Sequence, residues 1–435
     1  MRLLRARKKR RACVVGLDGV PIGLLRELAD RGVMPRTAQI LSRGSLQQMK
    51  AALPPISSVS WSSFMTGANP AEHGIFGFTE VDPQTYQLRF PLFSELAVPT
   101  LWDRLGEKGK RCAILNQPAT YPARAVPGVL VSGFVAPSFT KSVWPAQHIA
   151  ALRGMAYQVD VDTEGARGNP ERFLDDLMEA VKIRRKAIAY FWEREDWDYF
   201  QIVVTETDRL HHFLWHAVED ADRPLHGRAM EVYQGIDLLM GEMWDLHARR
   251  SGAAEGDGFV MLSDHGFCEL KQEVCLNAWL RENGYLKYAK DDPASVADIA
   301  DGTRAFCLDP GRIYVNRKGR FGRGCVPEEE AAALAEEIAE RLGALTCDGE
   351  SVMAEVFRRA AVYRGPRVQL APELVALGRP GLDMKGTTKS KEVFASPRFQ
   401  GMHTWEDAFV WSQLALPEEP EISEVAPALL AWLTA

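Results

Sequence analysis

Ala12-Cys13-Val14-Val15-Gly16-Leu17-Asp18-Gly19 is a short apolar run with two β-branched residues, and it ends in a carboxylate and a glycine. Such a run reads as a buried parallel strand that delivers Asp18 to the carboxyl edge of a sheet, the edge where open α/β sheets bind ligands. The same grammar recurs twice. Tyr199-Phe-Gln-Ile-Val-Val-Thr205 leads into Glu206-Thr207-Asp208, and Gly258-Phe-Val-Met-Leu-Ser263 leads into Asp264-His265. Three strands therefore end in acidic or imidazole groups at one edge, which predicts an α/β fold. After Asp208 the apolar spacing turns helical (Leu210, Phe213, Leu214, Trp215), so Asp208 and His212, four apart, share a helix face and can grip one ion.

Working outward, Pro54-Pro55-Ile56-Ser57-Ser58-Val59-Ser60-Trp61-Ser62-Ser63-Phe64-Met65-Thr66-Gly67 runs on to Pro70-Ala71-Glu72-His73-Gly74-Ile75. It reads as a hydroxyl placed where strand gives way to helix, and the N–H groups and positive dipole end there favour an anionic oxygen at Ser57. Gly401-Met402-His403 supplies a third imidazole. Together the fragments offer three carboxylates, three imidazoles and one hydroxyl, enough for two metal ions. Each piece alone has an ordinary reading. Asp18-Gly19 could be only a turn, Ser57 only an N-cap and His403 only a surface histidine. His216, four residues after His212, competes with His403 as a ligand, although a wholly helical trio would leave Gly-Met-His without a role.

The 435 residues are 46% hydrophobic and 25% charged, which suits one large α/β domain with a sizeable insertion. A formal charge of −6 gives no global attraction to nucleic acid or membrane, so neither partner is expected. Residues 1–11 oppose that trend with Arg2, Arg5, Arg7, Lys8, Lys9, Arg10 and Arg11, and read as a short solvated arm. The apolar stretch behind them is short and is needed as the first strand, so no secretory signal is read, and nothing reaches transmembrane length. Seven scattered cysteines without a CxxC pair suit free thiols in a reducing cytoplasm. Cys13 reads as packing; Cys268 follows the Asp-His-Gly-Phe motif closely enough to approach the site, with a structural role the commoner reading. The core is expected over 12–270 and again over 396–435. Between them 271–395, with Arg312-Ile-Tyr-Val-Asn, a Glu328–Leu342 helix and Glu373-Leu-Val-Ala-Leu, reads as a cap-like insertion of the kind that sets substrate choice. Helices are expected from Pro170 to Trp192 and from Val232 to Trp244, with a loop at Gly252–Gly258.

From Asp18 to His403, in the same order, these fragments resemble the alkaline phosphatase superfamily, in its branch of type I phosphodiesterase/nucleotide pyrophosphatase-like enzymes. The resemblance implies a central, mostly parallel sheet flanked by helices, with the insertion before the last metal ligand. It implies two zinc ions, one held by Asp18, Asp264 and His265 and the other by Asp208, His212 and His403, with Ser57 as the nucleophile between them. Manganese or mixed occupancy is the alternative for these donors. The implied function is a metal-dependent phosphohydrolase that cleaves a phosphodiester or pyrophosphate bond of a small phosphate ester or nucleotide through a phosphoseryl intermediate. A phosphomonoesterase or phosphomutase, and a silent metal-binding protein, are the alternatives.

The departures from the pattern bear on substrate. Diesterases of this branch usually carry Thr where this chain has Ser57, an Asn about 21 residues later where it has Phe78, and often an acidic residue where it has Gly77. Phe78 replaces a polar phosphate contact with an apolar wall, which favours a diester. Arg89, Lys110 and Arg209 are the cations that could fold back and supply the charge a monoester needs. Trp61, Trp215 and Trp405 lie near ligand motifs and are candidates to stack on substrate, with core packing as the alternative. A sulfatase is disfavoured, since its modified nucleophile is followed four residues on by Arg and Ser57 by Trp61.

Overall fold

The computed structural model describes residues 9–251 and 256–435. Most of the basic stretch (Arg2, Arg5, Arg7, Lys8) and the start of the expected loop (Gly252 to Glu255) lie outside the described residues. Lys9 and Arg10 are pinned to the body: Lys9 Nζ lies 3.2 Å from Asp198 Oδ1, and Arg10 donates to the Trp432 carbonyl at 2.7 Å.

Strand β1 (Ala12–Leu17) lies inside an eight-stranded sheet with β2 (Ser45–Met49), β3 (Cys112–Gln117), β4 (Gly128–Ser132), β5 (Val143–Trp144), β6 (Tyr199–Val204), β7 (Phe259–Leu262) and β14 (Ala408–Ser412). The order is β2-β14-β7-β1-β6-β3-β4-β5. The strands β7, β1, β6, β3 and β4 run parallel, while β14 is antiparallel to β7 and β5 to β4. Alternate side chains of a strand face opposite ways. Cys13, Val15 and Leu17 accordingly enter a core with Leu177 and Phe191 of α2 (Pro170–Arg194) and Ile236 and Met240 of α4 (His226–Ser251). Ala12 and Val14 enter a second core with Trp61 and Phe64 of α1 (Ser57–Thr66) and Leu429 of α6 (Val425–Thr434). Burial on both faces is the physical reason this run is apolar throughout.

The register aligns the strand ends. Leu17 pairs with Val204 and Gly16 with Leu262, so Asp18, the start of α3 (Glu206–Glu219) and Ser263-Asp264 emerge side by side. His403 returns by a different route. Strand β8 (Gly266–Glu269) pairs antiparallel with β13 (Gly401–Thr404), which sets Phe267 opposite His403. The chain between them builds an antiparallel sheet in the order β9 (Ala305–Leu308), β10 (Arg312–Val315), β12 (Leu374–Gly378), β11 (Met353–Arg358). With α5 (Glu328–Gly343) it encloses a core that also takes Tyr86. Arg312, buried on β10, donates to the Thr79 carbonyl at 2.9 Å and ties this section to the segment after α1.

Two expected helices run longer than read: Pro170–Arg194 gains exposed polar residues at its end, and His226–Ser251 starts earlier, with Ala229 and Met230 buried in the core. The expected strand ahead of Ser57 is a larger miss. Strand β2 ends at Met49, and Ala51–Ile56 is irregular extended chain. Pro54 and Pro55 lack the N–H groups a ladder needs. Among the described residues, no helix is long and apolar enough to cross a membrane.

Candidate metal centre and nucleophile

Ile56, in extended conformation, occupies the N-cap position of α1 and Ser57 is its first residue, so Ser57 is not spent as a cap. Its Oγ lies 3.3 Å from Asp18 Oδ1 and 3.1 Å from His265 Nε2. One hydroxyl proton faces two acceptors, an arrangement that a shared cation relieves. Asp18 is oriented by Trp61, whose Nε1 donates to Oδ2 at 3.0 Å, and by Thr207, whose hydroxyl donates to the Asp18 carbonyl at 2.6 Å. Asp264 Oδ1 accepts from the Gly19 amide at 3.1 Å, while its fully buried Oδ2 has no hydrogen-bond partner.

The three imidazoles are turned alike. Nδ1 of His212, His265 and His403 lies 3.2, 3.0 and 3.1 Å from the carbonyls of Gly401, Gly266 and Pro55 respectively. A carbonyl only accepts, so each Nδ1 carries the proton and each Nε2 presents a lone pair to the centre, as metal-ligating histidines do. His212 Nε2 is 3.0 Å from His403 Nε2, and the two are 3.3 and 3.2 Å from Asp208 Oδ1. Lone pairs that face one another across a carboxylate are a donor set for a cation. Ligand atoms of Asp18, Asp264 and His265 form one compact group, and those of Asp208, His265 and His403 another. His265 belongs to both, and its ring stacks on His403 at 3.7 Å.

Electrostatics gives the same test of fit. Burial, then the charges of its neighbours Asp264 and Asp208, raises the Asp18 carboxyl well above its ordinary range. Burial also pushes Asp264 up to about 7, and lowers His265 to about 4. Asp208 is different: burial opposes its ionisation, but its neighbours, the donating Arg209 guanidinium among them, outweigh it and hold Asp208 well below the usual range. The buried pair Asp18 and Asp264, which resists ionisation without a cation, beside the neutral imidazole of His265, fits divalent metal.

The other sequence candidates separate clearly. His216 pairs with Glu269 at 3.1 Å, whereas His403 faces Asp208 at 3.2 Å. Trp61 is fully buried, its ring laid on Gly16, and supports Asp18 from beneath; it cannot stack on a substrate. Trp405 donates to the Ala51 carbonyl and packs on Phe357, lining a separate cavity with Lys50 and Pro70, so it too is removed from the centre. Trp215 stacks on Phe267, as core packing required. Cys268 lies on β8 opposite Met402, outside both donor groups. Arg89 is held by Glu80 and Glu95, and Lys110 lies 3.7 Å from Asp198, which precedes β6 at the far edge of the sheet. Arg209 alone reaches the centre: Nη1 donates to Asp208 Oδ2 at 2.9 Å, while Nε and Nη2 grip Asp160 at 3.0 and 2.7 Å. Sequence reading missed Asp160, which no motif flags, and Thr207, whose position between Glu206 and Asp208 was the available signal. Phe78 is placed as a wall. It stacks on Phe134 at 5.6 Å, and both line a cavity of about 230 Å³ that Ser58 also borders.

Residues 12–406 match the family model of type I phosphodiesterase / nucleotide pyrophosphatase. Among curated proteins none matches. Of solved structures, phosphonoacetate hydrolase from Sinorhizobium meliloti, in complex with phosphonoacetate, is 18% identical with a TM-score of 0.65, covering 98% of this chain and 96% of that one. Murine ectonucleotide pyrophosphatase/phosphodiesterase 5, in complex with AMP, is 12% identical with a TM-score of 0.56, covering 98% and 95%. The human counterpart is 14% identical at 0.54, with the same coverage. These likenesses show a shared fold across the whole length.

Proposed function

Because the chain belongs to the type I phosphodiesterase / nucleotide pyrophosphatase family, we propose that it is a metal-dependent phosphohydrolase that cleaves a phosphodiester or pyrophosphate bond through a phosphoseryl intermediate on Ser57. The observation that carries this reading is the convergence of Asp18 Oδ1 and His265 Nε2 on Ser57 Oγ, with the Nε2 atoms of His212 and His403 turned to the same centre. Asp18, Asp264 and His265 would hold one ion and Asp208, His212 and His403 the other, with His265 at their boundary. Zinc bound there supplies Lewis acidity at the attacking and departing oxygens; manganese suits the same donors.

The chain's own groups do the rest. Ser57 Oγ forms a bond to phosphorus, the departing oxygen leaves with its electron pair, and water then cleaves the phosphoserine and restores the hydroxyl. The first turn of α1 offers backbone N–H groups to the phosphoryl oxygens. Arg209 is a positioning residue: held by Asp160, it fixes Asp208 Oδ2 and leaves Oδ1 for the metal.

That commitment also bears on substrate. Arg209 is balanced by Asp160 and Asp208, Arg89 by Glu80 and Glu95, and Lys110 lies beside Asp198. None of the three is free to match the second negative charge of a monoester, and Phe78 presents an apolar wall, so a singly charged diester fits better. Seven unpaired cysteines support a cytoplasmic location.

The test compares kcat/KM of zinc-loaded protein for bis(p-nitrophenyl) phosphate and p-nitrophenyl phosphate. A monoester preference beyond about tenfold, near 1.4 kcal/mol of transition-state binding, overturns the diester reading. Acid quench and mass spectrometry should find phosphate on Ser57; phosphate on another serine overturns the nucleophile.

A further inference from the structure

A pocket beside the nucleophile has no task in the chemistry described so far. Phe78 and Phe134 stack to form one wall, and Phe90 and Leu92 form the lip. Of the side chains around it only Ser58 and Tyr121 carry a polar atom, and none carries a charge, amide or imidazole. Ser58 Oγ is buried and has no hydrogen-bond partner, so at the junction of pocket and nucleophile a donor waits for an oxygen.

The outer rim points the same way. Among the described residues six large apolar side chains are well exposed, and two of them, Phe90 (51%) and Leu92 (42%), stand two residues apart at this mouth. Such clustering on a soluble surface marks a contact site for apolar matter. On the inner side, the Arg209 guanidinium lies 4.7 Å over the Phe134 ring, so the charged and apolar halves of the site meet at one side chain.

We propose that this pocket binds an apolar substituent, alkyl or aryl, that stays on phosphorus during attack by Ser57, which makes the substrate an amphiphilic phosphodiester and not a nucleotide. The inference rests on the phosphodiesterase reading of the same site. Two arguments fix the occupant. In-line displacement sends the leaving group away from the nucleophile, whereas this pocket opens at Ser58, next to it, and so accepts the group that remains. A nucleobase buried there would leave ring donors and acceptors facing phenylalanine and proline, a cost that an alkyl or phenyl group avoids.

The experiment uses the zinc-loaded full chain and p-nitrophenyl phosphodiesters that share one leaving group and carry methyl, hexyl, phenyl or thymidin-5′-yl as the retained substituent. kcat/KM is expected to rise at least about tenfold from methyl to hexyl or phenyl, as burial of apolar area in the transition state requires, with thymidinyl no better than phenyl. Phe134→Ala should pull the hexyl-to-methyl ratio toward unity. A series flat within about threefold, or a thymidinyl lead beyond about tenfold, overturns the inference while leaving the hydrolase reading intact. Calorimetric binding of the products separates the two ideas: hexyl phosphate should bind at least about tenfold tighter than methyl phosphate. Equal affinities overturn the inference whatever the turnover. Chain-dependent binding with no hydrolysis of any ester strikes the hydrolase reading, and with it the retained-group assignment, while the apolar specificity of the pocket stands.

Discussion

His73 shows how a single residue of the Pro-x-x-His-Gly segment sets a pH limit. The Ile75 amide donates to its Nδ1 at 3.2 Å, so Nε2 must carry the ring proton and donate to Ser63 Oγ at 3.0 Å. Burial lowers its pKa from 6.5 to about 3. Protonation would set a second N–H against the Ile75 amide. The unfolded chain then binds a proton that the fold refuses between pH 6.5 and 3, so stability falls as pH drops through that window, by up to roughly 1.4 kcal/mol per unit. Denaturation midpoints of wild type and His73→Gln should converge as pH falls from 7 to 4; parallel curves would remove His73 from the acid response. Arg209 yields a second residue-level expectation. Substitution Arg209→Met should weaken zinc binding about 10–100-fold, the usual cost of losing an outer-shell partner, with partial rescue by lysine. An unchanged zinc affinity, measured by chelator competition, would refute the positioning role.

At the scale of elements, the site depends on helix α1 pressing against strand β1. An added Cβ at Gly16 would sit 2.4 Å from the Trp61 ring, so only glycine admits the indole that holds Asp18. We expect Gly16→Ala to cost about 1–3 kcal/mol through overpacking and to lower kcat by shifting Asp18. Wild-type melting and turnover in that variant would mean Trp61 has no role in the site. The apolar runs of β1, β6 and β7 were legible because burial on both faces leaves one chemical solution, and the carboxylates at their ends followed from the parallel register. The route into Ser57 was not, since the chain through Pro54 and Pro55 obeys loop chemistry that no hydrophobic period records. Nor were the long-range pairings: Arg209 finds Asp160, and Arg312 finds Thr79, across separations that only the tertiary structure closes. Trp61 was placed near the ligands correctly, but burial, which sequence does not show, decides that it lies under them.

At the scale of the molecule, the six proposed ligands come from four separate parts of the chain. Asp18 follows β1, Asp208 and His212 lie on α3, Asp264 and His265 follow β7, and His403 arrives on β13 after the whole antiparallel section has been built. Metal at this centre would therefore fasten the parallel sheet to the return strand, and its binding free energy belongs to the folded state alone. At free zinc a hundredfold above Kd, each site adds about 2.7 kcal/mol, so two sites add about 5 kcal/mol, a large share of an ordinary folding free energy of 5–15 kcal/mol. Chelation should lower the melting temperature by several degrees and remove turnover, and close to two zinc ions per chain should restore both. Asp264→Ala, which deletes a ligand with an unpartnered oxygen, should lose most activity and most of the response to chelation. Asp208→Ala should do the same through the other group, with the added loss of the carboxylate that Arg209 holds. A chelated wild-type protein that melts and turns over unchanged would show that these buried carboxylates and imidazoles bind no metal, and the proposed chemistry would fall with it.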